Sequence, residues 1–142
     1  MIVVDTNVLS EPLRPSPDPR VLAWLAEHQQ EIALTTISIA ELLYGARRLP
    51  KGRRQSHLLA AIDQLVESAA DRLYDFDRAA GASYAGLRSE RDRAGQPGAT
   101  EDLMIAGICR VHHASLATRN GRDFLGCGLQ LIDPWSPHTT QP

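Results

Sequence analysis

Short apolar runs alternating with helix-period segments predict an α/β fold, a parallel sheet flanked by helices. Two observations carry that prediction. The chain opens on Ile2-Val3-Val4, a β-branched run without polar alternation, as expected of a strand buried on both faces. Comparable runs recur at 32–35, 73–76, 115–118 and 129–132, each separated from the next by residues with helical spacing or turn chemistry.

The elements follow in order. After Asp5-Thr6-Asn7, the Pro-rich stretch from Glu11 to Pro19 predicts an extended loop. Asp18 is placed as N-cap and Pro19 at the first position of a helix reaching about Gln30, with Val21, Leu22, Trp24 and Leu25 as its apolar face. Ile32–Thr35 is the second strand. Ser38-Ile39-Ala40-Glu41 opens the next helix, which holds Ile39, Leu42, Leu43 and Ala46 in register and ends near Leu49-Pro50. A third helix over roughly 52–69 turns Leu58, Leu59, Ile62, Leu65 and Val66 inward. Leu73–Phe76 is a strand, and Asp77 caps a helix that fades at Gly95-Gln96-Pro97-Gly98. Thr100 caps the last helix, which carries Leu103, Met104, Ile105, Ile108 and Val111. The Pro/His/Thr-rich tail over 136–142 is expected to fray, leaving one domain over 1–135.

Composition narrows the function. Net charge is −2, so nucleic-acid contact requires a local patch and not a basic body. Lys51 is the only lysine among 15 basic residues, which reads first as base composition and second as arginine's bidentate fit to phosphate. No apolar window is long enough to span a membrane, and a strand beginning at residue 2 leaves no room for a signal peptide, so the cytoplasm is the expected location. Cys109 and Cys127 have no metal-like spacing and make no disulfide scaffold. GxxxxGK[ST], GxSxG and HExxH patterns are absent.

The chemistry rests on acids. Asp5 ends a buried strand, and ligands of open α/β sheets bind outside the carboxyl ends of the strands. Asp5 could also cap a turn. Glu41 fits a Ser38-x-x-Glu41 capping box, the stronger reading of that residue alone, or it points into the crevice. Asp102, with Glu101 beside it facing solvent, lies in a helix's first turn, where negative charge is favoured. Asp123 follows a strand and could simply close a turn. Four acids at strand ends and helix starts together point to a hard divalent cation such as Mg²⁺ and to phosphoester hydrolysis. Asp5→Ala is then expected to keep or raise the melting temperature by relieving repulsion.

Four ordered motifs carry a family resemblance: Asp5-Thr6-Asn7-Val8-Leu9-Ser10-Glu11, Ile39-Ala40-Glu41-Leu42-Leu43-Tyr44-Gly45, Asp102-Leu103-Met104-Ile105-Ala106, and Ala117-Thr118-Arg119-Asn120-Gly121-Arg122-Asp123-Phe124. Together they resemble the PIN-domain ribonucleases, specifically the VapC-type toxins of toxin–antitoxin pairs. Ser10-Glu11-Pro12-Leu13-Arg14 and the closing Pro134-Trp135 are most similar to the FitB-like branch.

The resemblance implies a three-layer α/β/α sandwich with a mostly parallel sheet over 1–135, and a Mg²⁺- or Mn²⁺-dependent endoribonuclease. Asp5, Glu41 and Asp102 match the family's acids. The fourth acid falls in some members where Asn120 stands here, and in others three residues later, at Asp123. Thr6, Asn7, Thr118 and Asn120 match positions that orient the acids through hydrogen bonds. The implied partners are an antitoxin resembling a ribbon-helix-helix DNA binder, a second toxin copy, and the hetero-oligomer of both. Arg14 and Arg119 are the candidate phosphate contacts on RNA. The stretch Arg47-Arg48-Leu49-Pro50-Lys51-Gly52-Arg53-Arg54 reads rather as a solvated helix corner. Tyr44 and Trp24 read more as core or groove residues than as base-stacking ones. Two other functions fit less well: a nuclease outside any toxin–antitoxin pair, and a non-catalytic partner within an antitoxin–DNA complex.

Overall fold

The computed structural model describes residues 1–136. The expected fraying over 137–142 lies outside the described residues. At Ser136, the backbone amide still donates to the Asp133 carbonyl at 3.0 Å.

Five short strands form one sheet: β1 (Ile2–Val4), β2 (Ile32–Thr35), β3 (Leu73–Tyr74), β4 (Ser115–Ala117) and β5 (Leu131–Ile132). Their order is β3-β2-β1-β4-β5, and every pairing is parallel. Ile2 is registered against both Ile32 and Ser115, which puts the apolar opening run at the centre of the sheet. The chain winds outward from β1 through β2 to β3, then crosses back to β4 and β5 on the other side. The strand order therefore reverses between β1 and β4, and a crevice opens there at the strands' carboxyl ends.

Side chains of successive strand residues point to opposite faces, and this divides the core in two. Val4, Leu34 and Ala117 pack with Val8, Val21, Trp24, Leu42 and Ile62 on one side. Val3, Ala33 and Leu116 pack with Leu87, Leu103, Ile105, Cys109 and Phe124 on the other. Helices α1 (Thr6–Ser10), α2 (Pro19–Glu27), α3 (Thr36–Arg47) and α4 (Arg53–Ser68) supply the first layer, α5 (Arg78–Arg93) and α6 (Thr100–His112) the second. The predicted α/β/α sandwich is borne out, with a wholly parallel sheet. Gly107 lets α6 close on α5, since a Cβ there would meet the Ala80 carbonyl oxygen at 2.9 Å. Backbone cannot move aside as a flexible side chain would.

Several boundaries differ from the sequence reading. The chain after β1 is not an extended loop: Asp5 caps α1, and a 3₁₀ turn, Glu11–Leu13, follows. Five residues of helix are too few to show a period. The predicted capping box at Ser38 is absent, because the N-cap of α3 is Thr35, whose hydroxyl accepts from the Ser38 amide at 3.1 Å. That cap moves the helix start upstream and places Glu41 in the second turn. Thr100 lies inside α6; its N-cap is Ala99, which has no side-chain acceptor to offer. The Thr100 hydroxyl instead accepts from Arg88 at 3.3 Å. Asp18 and Asp77 cap α2 and α5 as expected, accepting from the Arg20 and Ala80 amides. β3 stops at Tyr74, whose ring stacks on His112 with centroids 3.8 Å apart.

Candidate active site

Asp5 leaves β1 in extended backbone, 6% exposed, with its Oδ1 accepting from the Val8 amide at 3.0 Å. Thr118, fully buried just past β4, donates its hydroxyl to Asp5 Oδ2 at 2.6 Å and accepts from the Asn120 amide at 3.1 Å. Burial pushes the Asp5 carboxyl above its ordinary value, against the pull of Thr118, Val8 and, more weakly, the Asn7 amide. The cap and crevice readings of Asp5 therefore hold together: one oxygen closes α1 and the other faces the strand reversal.

Glu41 projects from the second turn of α3 toward α1, and the Thr6 hydroxyl donates to its Oε1 at 2.8 Å. Ser38 Oγ lies 3.3 Å from that same hydroxyl and 3.4 Å from Thr35 Oγ1. A short relay of hydroxyls thus runs from the end of β2 to Glu41. Sequence reasoning named Thr6 but missed Thr35 and Ser38, because a misplaced helix start hid their roles.

Asp102 is the third residue of α6. Its carboxyl is raised to about 6, first by burial and then by the negative charges of Asp123, Asp5, Glu41 and Glu101. One carboxyl thus registers all three of the other candidate acids, together with exposed Glu101 beside it. Asp123 sits in the 3₁₀ turn Gly121–Phe124, which is pinned by buried Phe124, and its amide donates to the Asn120 carbonyl at 3.0 Å. Asp123 is the strongest charge acting on Asp102. Asn120 and Asn7 are exposed, and Asn120 forms no side-chain cap on that turn.

The remaining candidates separate. Arg14 donates to both carboxylate oxygens of buried Glu11, and Arg119 lies over the Trp135 ring, 5.0 Å from its centroid. The sequence alone gives neither Glu11 nor Trp135 a site role. Trp24 belongs to the core, as read, whereas Tyr44 stands 67% exposed beneath Arg48.

Among the described residues no three His, Cys, Asp or Glu side chains stand close enough to enclose an ion as they are. The donor set nevertheless fits a hard divalent cation: it offers carboxylate and hydroxyl oxygen alone, and its acids burden one another with like charge. A bound cation would remove that repulsion. No helix among the described residues is long and apolar enough to cross a membrane.

The PIN domain family model matches residues 2–125. The chain is 36% identical to Toxin FitB of Neisseria gonorrhoeae over 137 residues, covering 95% of this chain and 99% of that protein. It is 35% identical to VapC ribonuclease Y4jK of Sinorhizobium fredii, covering 96% and 99% respectively. Among solved structures, that of FitAB bound to a DNA fragment superposes with a TM-score of 0.92 at 34% identity, covering 99% of this chain and all of that one. The chain belongs to the PIN-domain family, in the group that contains Toxin FitB and the VapC ribonucleases.

Proposed function

We propose that the chain is the toxin of a toxin–antitoxin pair and a Mg²⁺- or Mn²⁺-dependent endoribonuclease acting in the cytoplasm. The observation that carries this reading is the gathering of acids at one strand reversal: Thr118 of the β4 end holds Asp5 of the β1 end, Thr6 holds Glu41, and the charges of Asp5, Glu41 and Asp123 all bear on Asp102. Asp5 and Asp102 would hold the cation directly. Glu41, steadied by Thr6, and Asp123 would complete the ring or orient the attacking water. When bound, the cation supplies Lewis acidity that activates water and offsets charge developing on the phosphate. Water adds to the scissile phosphorus and the bond to the 3′ oxygen breaks, leaving a 3′-hydroxyl and a 5′-phosphate. Thr118 and the capped Val8 amide would hold Asp5 still during that step. Asn7 and Asn120 stand at the rim, able to hold water or a phosphate oxygen. Arg14 and Arg119 are the proposed RNA contacts.

By analogy with the FitAB complex, the proposed protein partner is an antitoxin. A groove of about 260 Å³ lined by Leu13, Leu42 and Leu58 runs up to Glu41 and suits an apolar segment ending at the acids. The antitoxin is proposed to be a ribbon-helix-helix protein and the toxin to pair with a second copy of itself.

The test is cleavage of a mixed tRNA and rRNA pool by purified protein in Mg²⁺, Mn²⁺ or EDTA, with Asp5→Asn alongside. Metal-dependent products bearing 5′-phosphate, absent with the variant, are expected. A 2′,3′-cyclic phosphate product would contradict the mechanism.

A further inference from the structure

Arg14, Arg20 and Arg119 line one open cleft of about 500 Å³ that also contains Glu11, Asp18 and Trp135. They arrive from three places: the end of the 3₁₀ turn after α1, the first turn of α2, and the residue after Thr118. Each guanidinium is held by a different device. Arg14 Nη1 donates to both Glu11 oxygens, at 3.3 and 3.1 Å, and Glu11 is itself fixed by the Asp18 amide at 2.9 Å. Arg20 forks onto Asp18 through Nε at 3.1 Å and Nη2 at 2.8 Å. Arg119 lies on the face of Trp135 and makes no ion pair among the described residues.

Trp135 is 5% exposed and its amide is tied to Asp133 at 2.9 Å, so it is a fixed platform and not a free stacking surface. Glu11 and Asp18 each engage one arginine, and Asp133 acts on Arg20 at longer range. Arg119, which Asp18 reaches only at longer range, is the cleft's one guanidinium without an ion pair among the described residues, and the lining sets three arginines against two carboxylates. Arg14 spends a single nitrogen on Glu11, and the side chains of Arg14 and Arg20 are 58% and 59% exposed. Guanidinium groups held in place with N–H donors to spare lose little freedom on meeting an oxyanion. Arg119 directly follows the residue that holds Asp5, so the cleft opens off the same strand end as the acids.

We propose that this cleft is a backbone-phosphate subsite for single-stranded RNA beside the cleavage centre, with Trp135 as the positioning residue that holds Arg119. The proposal rests on the nuclease reading: with the scissile phosphate at the acids, a neighbouring phosphate of the same strand falls to the arginines.

The experiment is fluorescence anisotropy of a labelled single-stranded RNA on the full chain carrying Asp5→Asn, across a series of KCl concentrations. Arg119→Gln and Arg20→Gln should each reduce the slope of log K against log salt by about 0.7, the value for one phosphate contact on a single strand. Trp135→Leu should match Arg119→Gln, Trp135→Phe should restore the slope, and Trp135→Leu with Arg119→Gln should fall no further than either alone. Arg93→Gln, at the end of α5, should change nothing. Unchanged slopes in Arg119→Gln and Arg20→Gln, or affinity lost at constant slope, would overturn the subsite. So would variants that release a poly-glutamate peptide but keep their RNA slope. Metal-dependent cleavage by the chain with Asp5 intact, measured in parallel, separates the two readings. Cleavage with unchanged slopes removes the subsite alone, and altered slopes without cleavage remove the nuclease reading alone.

Discussion

The Thr118 hydroxyl donates a 2.6 Å hydrogen bond to Asp5 Oδ2 across 113 residues of sequence, joining the ends of β1 and β4 where the strand order reverses. The bond is fully buried, and the same hydroxyl accepts from the Asn120 amide. Thr118→Val keeps the shape and removes both interactions. It is expected to cost about 1–3 kcal/mol, the range for stranding a buried partner of a charged hydrogen bond. Urea unfolding at neutral pH without metal measures this; an unchanged midpoint would show that the bond carries no stability.

Asp5 serves as helix cap as well as candidate ligand, so in Asp5→Ala the lost cap opposes the relief of repulsion. Asp5→Ala removes the acceptor for the Val8 amide, and helix caps contribute roughly 0.5–2 kcal/mol. Asp5→Asn keeps a capping oxygen while removing the charge. Thermal unfolding at neutral pH without metal should rank Asp5→Asn above Asp5→Ala by about that amount. Equal melting temperatures would remove the cap from the account.

Much of this was legible in the sequence, for identifiable reasons. Ile2-Val3-Val4 announced the central strand because a parallel strand buried on both faces needs no polar alternation. Asp18-Pro19 announced α2 because a capping aspartate and a first-turn proline act locally. What stayed hidden depended on neighbours distant in sequence. α1 is too short to show a period and exists through the Asp5 cap. Thr35 outcompeted Ser38 as the cap of α3, so Ser38-x-x-Glu41 matched a motif that the backbone does not form. The four acids were nameable one by one, but their electrostatic contact through Asp102 required the sheet order. Trp135, in a segment expected to fray immediately beyond it, is buried and carries Arg119.

Asp102 makes stability depend on pH in a defined direction. Its carboxyl rises from 3.8 to about 6 in the fold, so the native chain binds this proton more tightly than the unfolded chain does. The contribution is fully present below the ordinary value and is lost as pH rises through about 6. Asp5, raised by burial, acts with the same sign. The metal-free protein should lose roughly 1–3 kcal/mol over that interval, and Mg²⁺ should restore stability above it by satisfying the ionised acids. Urea midpoints against pH, with and without Mg²⁺, test this; stability rising over the same interval in EDTA would contradict it.

Thr6 holds Glu41 by a 2.8 Å hydrogen bond, and among the described residues its hydroxyl bonds to no other acid of the group. Thr6→Val should therefore act through the orientation of Glu41. Partners of this kind are typically worth about 10- to 100-fold in metal affinity or activity. Cleavage titrated against Mg²⁺ should need correspondingly more metal, while circular dichroism stays unchanged. Equal metal requirement in the variant would show that Glu41 needs no such support.

The most direct test of the central claim, that these four acids form one cation site, is Mn²⁺ titration followed by the electron paramagnetic resonance signal of the free ion. The wild-type chain should take up Mn²⁺ saturably at neutral pH, and Asp102→Asn should weaken that uptake by at least about tenfold. Uptake by Asp102→Asn equal to that of the wild type would contradict the account.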